Sequence, residues 1–147
     1  MSSLDELLDA AVERVETERD TETVEVLIGG ELWIFRFAVL DGVTWANVIA
    51  VNPMRPGSNI DARFGYNYDG AAVTAAPLSG VRVVDDESQA LTAEQWSKVI
   101  KALSGHDFQK VTNAVWLLNE IAPGRRVSAA KKALTDATKK KAPSQES

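Results

Sequence analysis

The sequence contains no cysteine, which excludes disulfides, thiolate metal sites and cysteine nucleophiles together. A single histidine, His106, leaves a histidine-rich metal site without ligands. No apolar run approaches the ~20 residues that a bilayer-spanning helix needs. The start, MSSLDELL, lacks the basic, apolar and small-residue parts of a secretory signal. The expectation is a cytosolic chain with no membrane partner. Aromatic residues are also scarce, at 7% of 147 positions, so a place outside the strand-like runs where they gather carries weight.

That place is DARFGYNYDG, Asp61 to Gly70, with Arg63, Phe64, Tyr66 and Tyr68 around Gly65. Base-stacking aromatics in RNA-binding sheets sit on a central strand beside a second aromatic strand, on a basic face. Here the run comes after a loop with two prolines and leads into an alanine-rich helix start, in a chain of pI about 4.9. The reading is a set of anchors: Gly65 turns the chain, Phe64, Tyr66 and Tyr68 hold the turn against helices, and Asn67 or Asp69 caps the alanine-rich helix. No nucleic-acid partner is expected.

At 45% hydrophobic content the 147 residues suffice for one compact domain with a single core. The net charge of -5 hides a gradient: residues 1–31 carry a net of -8 and residues 121–147 a net of +5. Two solvated ends account for this, and so would head-to-tail contacts or a basic tail seeking an acidic partner.

Ser3 and Glu6 have capping-box spacing, and Leu4, Leu7, Leu8, Ala11, Val12 and Val15 recur at helical intervals, which predicts an amphipathic helix over 3–18. Its stripe must bury in the domain, against another copy or against a partner. TETVEVLIGGELWIFRF predicts strands at 23–28 and 31–38 around Gly29-Gly30. Either Leu27, Trp33 and Phe35 or the set Val26, Ile28, Leu32 and Ile34 should face helices. Thr44 is taken to cap a helix from Trp45 to Val51, and 52–61 is the main loop. Another helix runs through GAAVTAA until Pro77, and VRVVDDESQ is a short extended or irregular link with an acidic turn. Thr92 and Gln95 cap a helix carrying Trp96, Val99, Ile100 and Leu103, closed by Ser104-Gly105. Asp107 starts another, with Phe108, Val111, Ala114, Val115, Leu118 and Ile121, broken by Pro123-Gly124. From Ser128 an alanine- and lysine-rich helix frays into KKKAPSQES.

Chemistry finds little footing. His106 beside Asp107 has no nucleophile motif near it, and sequence neighbours rarely aim side chains at each other. Asp85, Asp86 and Glu87 are consecutive, whereas calcium loops space their oxygen ligands around a fixed glycine. Gly29-Gly30 lacks a phosphate-cradle context. No catalytic residue, metal or cofactor is expected.

The succession NPMRPGSNIDARFGYNYDGAAVTAA and then LTAEQWSKVIKALSGHDFQKVTNAVWLLNE resembles the tail assembly chaperones of long-tailed, siphovirus-type actinobacteriophages. The landmarks are Gly65-Tyr66-Asn67 after a proline-containing loop, an alanine-rich helix, Leu91-Thr92, Glu94 and Trp96 at a helix start, and Trp116 with Asn119 in the last core helix. VRVVDDESQA departs from that pattern in being longer and more acidic. The resemblance spans about residues 23–120 and implies a non-enzymatic protein of the host cytoplasm. Such a protein binds the tape measure protein and keeps it soluble while tail-tube subunits polymerise. It also implies a longer, frameshifted form of the chain, and Lys139, Lys140 and Lys141 fit an A-rich slippery codon pair. Leu4, Leu7, Leu8, Val12, Phe64, Tyr66, Tyr68, Trp96 and Trp116 are the candidate partner-binding residues, and a homo-oligomer is a further expectation. A virion component, such as a head-tail connector or tail-terminator subunit, fits the same size, acidity and lack of chemistry.

The fold expected is α+β: a mainly helical domain packed on an N-terminal β-hairpin, with an N-terminal amphipathic helix and a disordered basic C-terminal tail. The divisions are 1–22, 23–124 and 125–147.

Overall fold

The structure, a computed structural model, describes residues 3–141 and is a mixed α+β fold with a four-stranded antiparallel sheet in the order β1-β2-β3-β4. The last six residues of the expected tail lie outside the described residues. Helix α1 spans Leu4–Thr17, and its cap is Ser3, whose Oγ accepts the Glu6 N–H at 3.2 Å. None of its residues is buried. Packing of the stripe into its own domain is therefore not what the molecule does.

Strands β1 (Thr21–Ile28) and β2 (Glu31–Ala38) pair through Gly29 and Gly30, both at positive φ as a two-residue hairpin turn requires. The register joins Val26 to Trp33, Val24 to Phe35 and Leu27 to Leu32. Directly paired residues share a face, so even positions of β1 side with odd positions of β2. The core-facing set is therefore Val24, Val26 and Ile28 with Trp33, Phe35 and Phe37. This takes members from both expected sets, neither of which respected the parity that a two-residue turn imposes. Leu27 and Leu32 are 59% and 58% exposed on the outer face.

The expected link at 81–89 is a second hairpin, β3 (Gly80–Val84) and β4 (Glu87–Gln89), and it extends the two-stranded platform to four strands. Asp85 and Asp86 turn the chain at φ 49° and 65°, the left-handed region that Asp tolerates better than most residues.

Two cores meet across shared helices. Val24, Val26, Phe35 and Phe37 pack with Ala76, Trp96, Val99, Val111, Ala114 and Leu118. Trp96 lies 5.1 Å from Phe35 and 5.7 Å from Phe37, ring centre to ring centre. Burying each such ring contributes about 1.5–3 kcal/mol relative to exposure. The second core joins Trp45, Val48, Tyr66, Ala71, Ala72, Ala75 and Val115. Helix α4 (Tyr68–Ser79) buries four alanines, small enough for backbones to approach closely, and supplies one side to each core.

Several helix boundaries differ from expectation. Helix α2 is Gly42–Ala50 with Asp41 as cap, because Asp41 accepts both the Thr44 N–H (3.1 Å) and the Thr44 hydroxyl (2.6 Å). A short helix α3, Asn59–Phe64, begins inside the expected loop, capped by Ser58. Of the two expected caps for α4, Asn67 is the one used, accepting the Gly70 N–H at 2.9 Å. That helix runs two residues past Pro77, and the Ser79 hydroxyl donates to the Ala75 carbonyl at 3.0 Å. Helix α5 (Ala93–Ala102) has the full Thr92/Gln95 capping box. Ser104 does not merely follow α5: it caps α6 (Gly105–Trp116), accepting the Asp107 N–H at 3.1 Å.

Pro123-Gly124 does not break the chain's last helix. A π-helical turn, Leu117–Ile121, leads directly into α7, Ala122–Lys141. The Ala122 N–H reaches back five residues to the Leu117 carbonyl. A proline ring collides with the carbonyl four residues before it, here Asn119, and the widened turn opens that spot.

Candidate partner-binding site

The DARFGYNYDG stretch is built around an acid. Asp61 is fully buried and accepts the Arg55 backbone N–H (2.7 Å), two bonds from the Arg55 guanidinium (2.9 and 2.8 Å) and the Tyr68 N–H (3.3 Å). The Arg55 guanidinium holds this carboxyl far below the usual carboxylate range, and Asp61 in turn raises Arg55. Arg55 also reaches Asp69 at 3.2 Å. The bidentate pair folds the Pro/Gly loop onto the start of α3.

Gly65 ends α3 at φ 87°, a conformation that glycine adopts without strain. The reversal sends Tyr66 inward, 5% exposed, edge-on to Trp45 at 5.9 Å. Burial raises the Tyr66 hydroxyl, with the Glu120 charge adding to it. Phe64 and Tyr68 stack at 4.2 Å, and Trp116 meets Phe64 edge-on at 5.6 Å. The Tyr68 hydroxyl donates to Asn113 Oδ1 at 2.8 Å, tying the stack to α6. The anchor reading of this stretch therefore holds: each residue of the Gly65-Tyr66-Asn67 landmark has a structural task.

The π-turn completes the site. Asn119 Oδ1 accepts the Leu40 N–H and Glu120 Oε1 accepts the Trp45 indole N–H, both at 2.9 Å. Two consecutive residues thus bind the link that follows β2 and the first turn of α2. Beside them an open groove of about 460 Å³ is lined by Arg63, Phe64, Tyr66, Trp116, Glu120 and Ile121. Three of these six residues are aromatic, with one cation and one anion beside them.

Of the nine candidate residues, Phe64, Tyr66, Tyr68 and Trp116 come together here. Trp96 does not: at 1% exposure between Phe35 and Phe37 it is core, beyond reach of a partner. Leu4, Leu7, Leu8 and Val12 lie on α1, each more than half exposed. The aromatics sit at helix ends rather than on the sheet, so the geometry that stacks bases in RNA-binding sheets is not formed. The Arg55–Asp61 pair and the Trp45–Glu120 bond escaped the sequence reading, since nothing in the spacing of those residues marks them as partners.

Elsewhere, His106 Nδ1 and Asp107 Oδ1 do approach, at 3.3 Å, against the expectation for sequence neighbours. Asp107 is already engaged: it is buried and accepts the Leu27 N–H at 3.0 Å, which satisfies a donor on the edge of β1. That backbone N–H is the main reason its carboxyl titrates below the ordinary range. The Asp85-Asp86-Glu87 segment is a hairpin turn, and among the described residues no three His, Asp or Glu side chains converge as metal ligands. No described helix is long and apolar enough to cross a membrane.

The fold and this groove define the class only as an α+β domain with an open, largely aromatic groove. Comparison of the chain with protein-family models, curated proteins and solved structures finds no match.

Proposed function

We propose that the chain is a tail assembly chaperone of a long-tailed actinobacteriophage. It is non-enzymatic, works in the host cytoplasm, binds the tape measure protein and keeps it soluble while tail-tube subunits assemble. A longer frameshifted form of the chain is a further partner. The observation that carries this reading is the aromatic groove of Phe64, Tyr66 and Trp116, flanked by Arg63 and Glu120. A holdase needs an apolar trough with a polar margin that accepts one face of an amphipathic helix without committing to one sequence. Rings supply that area at low entropic cost, and the Asp61 clamp and the π-turn keep the trough formed before a partner arrives.

Co-expression with the tape measure protein of such a phage tests the proposal. The expected result is soluble tape measure protein that co-purifies with the chain. Phe64→Ala with Trp116→Ala should cut the captured partner about tenfold, as loss of central aromatic anchors does, while cooperative unfolding persists. Failure of the wild-type chain to solubilise or capture the partner would sink the function, and normal capture by the double variant would remove the groove from it. Mass spectrometry of purified virions should find no stoichiometric copy. Finding one would favour a head-tail connector or tail-terminator subunit.

A further inference from the structure

We propose that two copies of the chain close into a dimer in which the acidic α1 of each lies along the basic α7 of the other. This does not rest on the chaperone reading. Leu4, Leu7, Leu8, Val12 and Val15 are 53–71% exposed, an apolar stripe too continuous for a helix that stays in water. Around it stand Asp5, Glu6, Asp9, Glu13 and Glu16, with Arg14 the only base in the helix. Helix α7 carries the inverse surface. Val127, Ala130, Leu134 and Ala137 recur at alternating three- and four-residue steps, with Val127 and Leu134 55% and 70% exposed. Arg125, Arg126, Lys131, Lys132 and Lys139 flank them, against Asp136 alone.

In α1 the residues Leu4, Leu8, Ala11 and Val15 step by four and three, so both stripes are seams of the kind that pack knobs into holes. The seam of α7 is thin in large side chains, and the opposite charges beside it supply both orientation and partner choice. Alone, a 14-residue helix with this composition is marginal in water. Docking stabilises it.

The partner is a second copy because the roots of the two helices are clamped within one chain. Arg19 donates to the Val39 carbonyl (3.0 Å), the Val39 N–H donates to the Asp20 carbonyl (3.0 Å), and Asp20 pairs with Arg126 (3.2 Å). Only Glu18 to Asp20 separate α1 from β1. Within one chain, with these bonds in place, neither stripe is covered: no residue of α1 is buried, and Val127 and Leu134 stay exposed. A two-fold axis meets both demands at once, since each chain offers one acidic and one basic helix and receives the other.

Sedimentation of the full chain, with far-UV circular dichroism as the check on folding, tests this. The wild type should be a dimer at low salt that loosens as salt screens the charges. Lys131→Glu with Lys132→Glu, and separately Leu8→Lys with Val12→Lys, should each weaken self-association about tenfold or more without changing the fold. Adding Asp9→Lys and Glu13→Lys to the α7 variant should restore the dimer, which a merely misfolded variant would not do. A wild type monomeric throughout the micromolar range overturns the proposal. So does a dimer that loses affinity only with the α1 changes, which would move the docking face to the outer sheet surface at Leu27 and Leu32.

Discussion

Gly80 lies where α4 hands the chain to β3, and a side chain there has no room. An added Cβ would sit 2.7 Å from the Trp96 ring and 2.8 Å from both the Ala76 carbonyl oxygen and the Phe37 ring. Its φ of -104° suits any residue, so glycine is present for space alone. Gly80→Ala is expected to cost about 1–3 kcal/mol, read as a lower urea midpoint with unchanged slope. Asp61 matters through charge. Its carboxyl is depressed in the fold by Arg55, so its contribution is full above the unfolded carboxylate value near pH 4 and is lost as pH falls toward the folded value. Thermal melts from pH 7 to pH 2 should show stability falling in acid. Asp61→Asn should flatten part of that fall and lower Tm at pH 7 more than Asp69→Asn does, because Asp69 is half exposed. Asp107, depressed by the Leu27 N–H, should account for a further part of the acid slope that remains.

At the scale of elements, periodicity read the helices well and their ends poorly. The stripes of α1, α5 and α6 are each visible as spaced apolar residues, and the Thr92/Gln95 box names the start of α5. Caps misled where two short polar residues compete: Asp41 displaced Thr44 and Ser104 displaced Asp107. In each case the winner sits three residues before the backbone N–H that it accepts, a geometry which composition alone does not rank. The two prolines misled for another reason. A π-turn before Pro123 and a helix end just after Pro77 absorb the missing donors, and neither is encoded locally. Helix α7 leaves its residues from Pro123 to Lys139 exposed, so it adds little to either core. A chain ending at Gly124 is therefore expected to unfold cooperatively with a Tm near that of the full chain, measured by near-UV circular dichroism. A large loss of Tm would make α7 part of the fold.

Across the whole molecule, α4 and α6 contribute to both the sheet-side and the helical core, which makes one folding unit of residues 21–121 and leaves α1 and α7 as appendages of opposite charge. Composition, the absence of cysteine, the charge gradient and the amphipathic stripe of α1 are properties of the chain alone, because each depends on residue identity and near-neighbour spacing. The anchor role of DARFGYNYDG divides: the Gly65 turn and the Phe64–Tyr68 stack are local, whereas Tyr66 against Trp45, Phe64 against Trp116 and Tyr68 bonded to Asn113 join distant positions. What only the tertiary structure decided rests on contacts between distant positions. Among these are the burial of Trp96 and the pairing of Trp45 with Glu120 across 75 positions. The exposure of the α1 stripe belongs with them. Periodicity shows that a helix has an apolar face, but whether its own domain covers that face is settled only when every other element has taken its place.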